Sequence, residues 1–195
     1  MVAAIAAKEL VVVALYPLFG AVVGAAGGLI FFLLPPTLNA VATGFWFGVA
    51  GLKDRACVRP GWRLVFMRIA VAAVWFPVLL PLQPSEALAY GVAVHTIARA
   101  ATITLVWCSR PAAAGIAWPR DLRSAQAIAA AAQGLAASLL AGPRIAIGLL
   151  LAVYLMVRTV QAWAYRRQGG VSSDTVAFTR LGGELLLLLL VALLT

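Results

Sequence analysis

Uninterrupted apolar runs recur along the whole of this 195-residue chain, and Leu185 to Leu194 is the plainest of them. Such runs constrain the fold more than any motif does. In lipid every backbone N–H and C=O must be satisfied internally, which leaves helices or closed barrels. Barrel strands need short segments of alternating polarity. The run at Leu185 does not alternate, so helices are expected. With 64% hydrophobic and 11% charged residues, no separate water-soluble domain can be cut out. Residues 1–195 read as a single integral membrane domain, an all-α polytopic transmembrane helical bundle.

Seven spans are expected, roughly Leu10–Leu34, Thr37–Leu52, Leu64–Leu82, Ala87–Trp107, Ala125–Ala141, Ile145–Tyr165 and Asp174–Leu194. The second and fifth approach the lower length limit of about 17 residues, so the range is five to seven. Pro35–Pro36, Pro81 to Pro84 and Gly142–Pro143 punctuate the runs. The basic residues alternate between connections. Lys8, Lys53, Arg55, Arg59, Arg63, Arg110, Arg120, Arg123, Arg166 and Arg167 fall on one side, and Arg144 alone on the other. The positive-inside rule then places the N-terminus in the cytoplasm and the C-terminus outside, in a bacterial cytoplasmic (inner) membrane. Cys57 and Cys108 have no zinc or redox spacing and fall near the cytoplasmic side, which predicts free thiols. The net charge of +9 sits in short clusters between apolar spans rather than on a basic face, which points to lipid phosphate and not to nucleic acid. No small-residue cleavage pattern follows Lys8, so the first helix is expected to stay.

Ionisable groups within the spans are candidates for function. Arg68, Arg158 and Arg180 lie within about two turns of a cytoplasmic helix end, where Arg can snorkel. Arg99 and Glu184 each lie about ten residues in, or about 15 Å deep. Equal depth and opposite charge predict a pair, either a structural tie between the fourth and seventh helices or part of a ligand site. His95, deeper still, reads as a hydrogen-bonded core residue, since no second His or Cys accompanies it. Gly20, Gly24 and Gly28, four apart, predict close helix packing.

Gln168-Gly169-Gly170-Val171-Ser172-Ser173-Asp174 is the most informative segment. A serine N-cap and an acid in the first turn suit the start of the seventh helix. Two glycines beside Arg166 and Arg167 would also form a phosphate cradle at a helix N-terminus, and Asp174 would suit a Mg²⁺ that bridges phosphates. A second cluster, Gly51-Leu52-Lys53-Asp54-Arg55-Ala56, sits where the second helix ends.

These segments, in this order, resemble the cobalamin synthase family, the adenosylcobinamide-GDP ribazoletransferases. The likeness runs from Tyr16-Pro17-Leu18-Phe19-Gly20-Ala21-Val22-Val23-Gly24 through Ala50-Gly51-Leu52-Lys53-Asp54-Arg55-Ala56-Cys57. It continues with Arg99 and with Ser109-Arg110 followed by Gly115. The clearest match is Gly169-Gly170-Val171-Ser172-Ser173-Asp174, similar to Gly-Gly-Val-Thr-Gly-Asp, with Glu184 at the place of a later acid. The resemblance implies a polytopic membrane transferase. Such an enzyme joins a GDP-activated corrinoid, or a similar nucleotide-activated amphiphile, to a hydroxyl acceptor and releases GMP with Mg²⁺. It further implies Asp54 and Asp174 as catalytic residues and Asp54, Asp174 and Glu184 as metal ligands. Arg99, Arg110, Arg166, Arg167, Gly169, Gly170 and Ser172 would bind substrate phosphate. Ala50 and Cys57 stand where the family carries two further acids, the loop that follows is shortened to Val58–Arg63, and Ser173 and Leu181 replace a glycine and an acid. The alternative is therefore a non-catalytic paralogue, a membrane subunit or carrier that keeps the arginines. A small transporter would show inverted repeats, and no internal repeat is evident. The expected partners are a phosphate-bearing amphiphilic small molecule and the bilayer, with oligomerisation open.

Overall fold

The computed structural model describes residues 2–50, 62–112 and 122–195, with backbone alone at 2–11, 36–37, 48–50, 62–65, 67 and 68. Among the described residues there are seven helices and no sheet: α1 (Val2–Leu33), α2 (Pro36–Ala50), α3 (Trp62–Leu79), α4 (Pro84–Trp107), α5 (Ser124–Leu139), α6 (Pro143–Gln168) and α7 (Ser173–Leu194). Four of them, Val12–Leu33 within α1, α4, α6 and α7, are long and apolar enough to cross a membrane. Helix α5, at 16 residues, falls short of a full crossing at 1.5 Å per residue, and the described part of α2 has 15 residues.

Helix α4 is the axis of the bundle. From Ala93 to Ile103 every one of its side chains is buried, and it packs against α1, α5, α6 and α7. The first of these contacts is set by glycine. A Cβ on Gly24 would lie 2.3 Å from the Gly91 carbonyl oxygen, one on Gly20 would lie 2.4 Å from the His95 oxygen, and one on Gly28 would meet Leu88 Cα at 2.6 Å. The four-residue spacing thus presses the α1 backbone onto α4, as small residues do between helices in lipid. Helix α5, which also touches α1, turns Ala127, Ala130, Gly134 and Ala137 inward, and Gly134 would collide with Ala100 if it carried a Cβ.

The outer surface is apolar. Phe45, Phe66, Ile69, Ile147 and Leu193 are each more than 60% exposed, a distribution that suits contact with hydrocarbon and not with water.

Candidate functional site

Two groups of polar residues stand out, one inside the bundle and one at an end. The internal group lies between α1, α4 and α7. Glu184 is 4% exposed and Arg99 1%, and Arg99 Nη1 donates to Glu184 Oε1 at 3.4 Å. The pair expected from equal depth therefore forms. The same guanidinium nitrogen donates to the His95 carbonyl oxygen at 3.1 Å, and the guanidinium carbon lies over the rings of Tyr16 and Phe19, 5.8 and 5.6 Å from their centroids. Helix geometry explains the carbonyl contact, since a side chain at i+4 reaches back along its own face.

Two members of this group differ from expectation. His95 is buried in the core as expected, but its ring makes no hydrogen bond, and its Nδ1 instead faces Glu184 Oε1 at 3.2 Å. Arg180 does not snorkel. It is 2% exposed, and its Nη1 donates to the Tyr16 hydroxyl at 3.3 Å. Its position on α7, four residues before Glu184, puts it on the face that meets α1 and α4. Distance from a helix end does not report helix rotation, and rotation decided the outcome. Arg158 is exposed, as snorkelling predicts, and Arg68 lies beyond the described side chains.

The second group is a clasp. The connections that follow α4 and α6 run side by side, joined by one parallel bridge between Pro111 and Val171. Val171 N donates to the Arg110 oxygen at 2.8 Å, and Ala112 N donates to the Val171 oxygen at 2.9 Å. Tyr165 Oη accepts from the Arg110 amide at 2.8 Å. Gln161 Nε2 donates to the Cys108 oxygen at 2.9 Å and to Ser109 Oγ at 3.2 Å.

Both glycines of the Gly-Gly segment have backbone causes here. Gly169 closes α6 in the left-handed region at φ 69°, a conformation that favours glycine. Gly170 is buried, and a Cβ there would sit 2.7 Å from the Arg110 oxygen and 2.8 Å from Ala112 N. Ser172 then caps α7 by accepting from Thr175 N at 3.3 Å. Capping alone did not require the two glycines, but the clasp does. Gly169 N and Val171 N already donate to the Tyr165 and Arg110 oxygens, so an anion at this point would depend on side chains more than on those amides.

Asp174 is exposed in the first turn of α7, and Arg110, Arg166 and Arg167 are exposed at the same end of the bundle. Asp54 lies outside the described residues, as does the whole of 51–61. Asp174 and Glu184 do not suit a shared Mg²⁺. Ten residues of α7 separate them by about 15 Å, and the Glu184 carboxylate is already held by Arg99 and His95. Arg99, grouped with the phosphate-binding arginines on sequence grounds, also lies with the internal pair and away from the clasp. Among the described residues no cluster of three His, Cys, Asp or Glu side chains is placed to hold a metal ion.

The fold and these two groups define a class: a helical bundle with four helices long and apolar enough to cross a membrane, a buried ion pair and an arginine-bearing clasp at one end. No family model, no curated protein and no solved structure matches the chain.

Proposed function

We propose that the chain is a protein of five to seven spans in the bacterial inner membrane that binds a phosphate-bearing amphiphile at the clasp end of the bundle. The N-terminus and the clasp face the cytoplasm in this reading, and the C-terminus lies outside. The observation that carries it is the bridge between Pro111 and Val171. That bridge fixes Arg110 beside the start of α7, next to the last turn of α6 with Arg166 and Arg167. Three exposed guanidiniums from two connections thereby share one edge of the membrane, where they suit a phosphate headgroup on an apolar body. Charge bias supports the cytoplasmic placement.

The resemblance to cobalamin synthases suggests a nucleotide-activated corrinoid or a similar amphiphile as ligand. Of the family's roles we favour the non-catalytic one, a carrier or membrane subunit. Phosphoryl transfer requires charge neutralisation around the transferred group, and the acid expected to assist Asp174 is spent on Arg99. The transferase remains the second reading, because the Asp174 carboxylate is exposed at the same edge.

Purified chain in nanodiscs separates the two. Binding of a GDP-activated corrinoid that weakens at least tenfold in Arg166→Gln, Arg167→Gln, with no GMP released, supports the carrier. Mg²⁺-dependent GMP release that Asp174→Asn abolishes would establish the transferase. Undiminished binding by the double arginine variant would remove the clasp as the site.

A further inference from the structure

Nearly every buried polar side chain in this bundle is matched inside the protein. Thr43 Oγ1 donates to the Gly27 oxygen, Trp46 Nε1 to the Val23 oxygen, and Thr102 and Thr179 to carbonyls one turn back on their own helices. Among the described residues the exceptions are single atoms of Arg99, Gln133 and Arg180, whose side chains are otherwise engaged, and the ring nitrogens of Trp75 and His95. Trp75 Nε1 on α3 and His95 Nε2 on α4 are buried with no hydrogen-bond partner in the protein. Both residues are 1% exposed or less. Their rings stack 5.8 Å apart at 20°, and Phe47 of α2 packs on both, at 4.3 Å from Trp75 and 4.6 Å from His95.

A buried polar group left unmatched is costly, and two such groups on stacked rings mark a place where something else belongs. The chemistry of the pair restricts what that is. An indole N–H only donates. The Glu184 carboxylate at Nδ1 favours the proton on that nitrogen, which leaves Nε2 as an acceptor.

We infer that the stack of Trp75 and His95 is a binding site for a hydroxyl group, which accepts from the indole and donates to the imidazole. Water and the hydroxyl of an amphiphile share this chemistry, and both meet the two-partner requirement of a buried polar guest. The site is a terminus and not a relay, because the indole cannot pass a proton onward. It lies among α2, α3 and α4, separate from the clasp, and does not depend on the ligand proposed there.

His95 is the sole histidine of the chain, so nitrogen NMR of tag-free, histidine- and tryptophan-labelled protein in nanodiscs reads it alone. The expected result is an Nδ1–H tautomer, with a cross-peak from the Trp75 indole proton, assigned by its loss in Trp75→Phe. A cross-peak to slowly exchanging water identifies water as the guest. A cross-peak to a carbon-bound proton, removed by delipidation, identifies an amphiphile's hydroxyl. Loss of the guest signal at His95 in Trp75→Phe completes the case. An Nε2–H tautomer, or an indole proton with no contact to water or ligand in the unsubstituted chain, overturns the inference whether or not the variant folds.

Discussion

Among the described residues Glu184 is the only buried acid, so its removal isolates what one buried carboxylate contributes. Its Oε1 contacts Arg99 at 3.4 Å and His95 at 3.2 Å. Stripping one partner from a buried ion pair costs about 3–5 kcal/mol in proteins generally. Two features reduce that figure here. Arg99 keeps the His95 carbonyl and the Tyr16 and Phe19 ring faces, each ring worth about 0.5–2 kcal/mol. Polar contacts in membranes also average only about 0.6 kcal/mol, since the unfolded chain in lipid finds partners too. Glu184→Leu should therefore destabilise the bundle by about 2–3 kcal/mol. Reversible unfolding of the full chain by dodecyl sulfate in mixed micelles measures it. Arg99→Leu should cost a similar amount, and the double variant should lose at least about 1 kcal/mol less than the two singles together. If the losses add to within about 0.5 kcal/mol, the two residues do not interact and the account of the core is wrong.

The remaining expectations use the same unfolding assay or simple labelling. Gly24→Ala must force apart two backbones, since its Cβ meets Gly91 and Val92 main-chain atoms at 2.3–2.5 Å; a loss near the top of about 1–3 kcal/mol is expected, and a neutral result would refute the α1–α4 contact. Gly170→Ala should cost about 1–3 kcal/mol because its obstacles are backbone atoms of 110–112. Gly169→Ala has open space around it and should lose only about 1–2 kcal/mol through its positive φ, so Gly169→Asn should recover part of the loss. Cys108, exposed beside the clasp, should react with a membrane-impermeant maleimide in a Cys57→Ser background only after the inner membrane is breached. Labelling in intact cells would reverse the proposed orientation.

Much of this was legible from spacing. Runs of apolar residues, broken by proline, glycine and charged connections, located the seven helices, although α1 begins at Val2 and not near Leu10, because Lys8 and Glu9 continue the helix at little cost. Glycines four apart located the tightest contact. Equal depth and opposite charge located the pair of Arg99 and Glu184. What spacing does not carry is rotation and long-range loop contact. Arg180 sits as near a helix end as a snorkelling arginine does, yet α7 is turned so that it meets Tyr16. His95 has no second ligand nearby in sequence, so its carboxylate partner on α7 could be reached only through the pairing of α4 with α7. The reason for Gly170 lies in the backbone of Arg110, Pro111 and Ala112, which no local rule connects to it.

That last contact changes how the Gly-Gly-Val-Ser-Ser-Asp segment should be tested. A glycine pair beside arginines reads as a phosphate cradle, and the same residues are required by a helix stop, a one-pair bridge and a helix start. Substituting Gly170 damages the clasp, and damage to the clasp displaces Arg110 with it. Loss of ligand binding in a glycine variant would follow under either reading and so decides nothing. The exposed side chains carry the information instead. Arg166 and Arg167 close α6 without entering the bridge, and Asp174 opens α7 without serving as its N-cap, which is Ser172. Substitutions there leave the backbone contacts of the clasp in place, so any change in binding or turnover reports on the ligand and not on the fold.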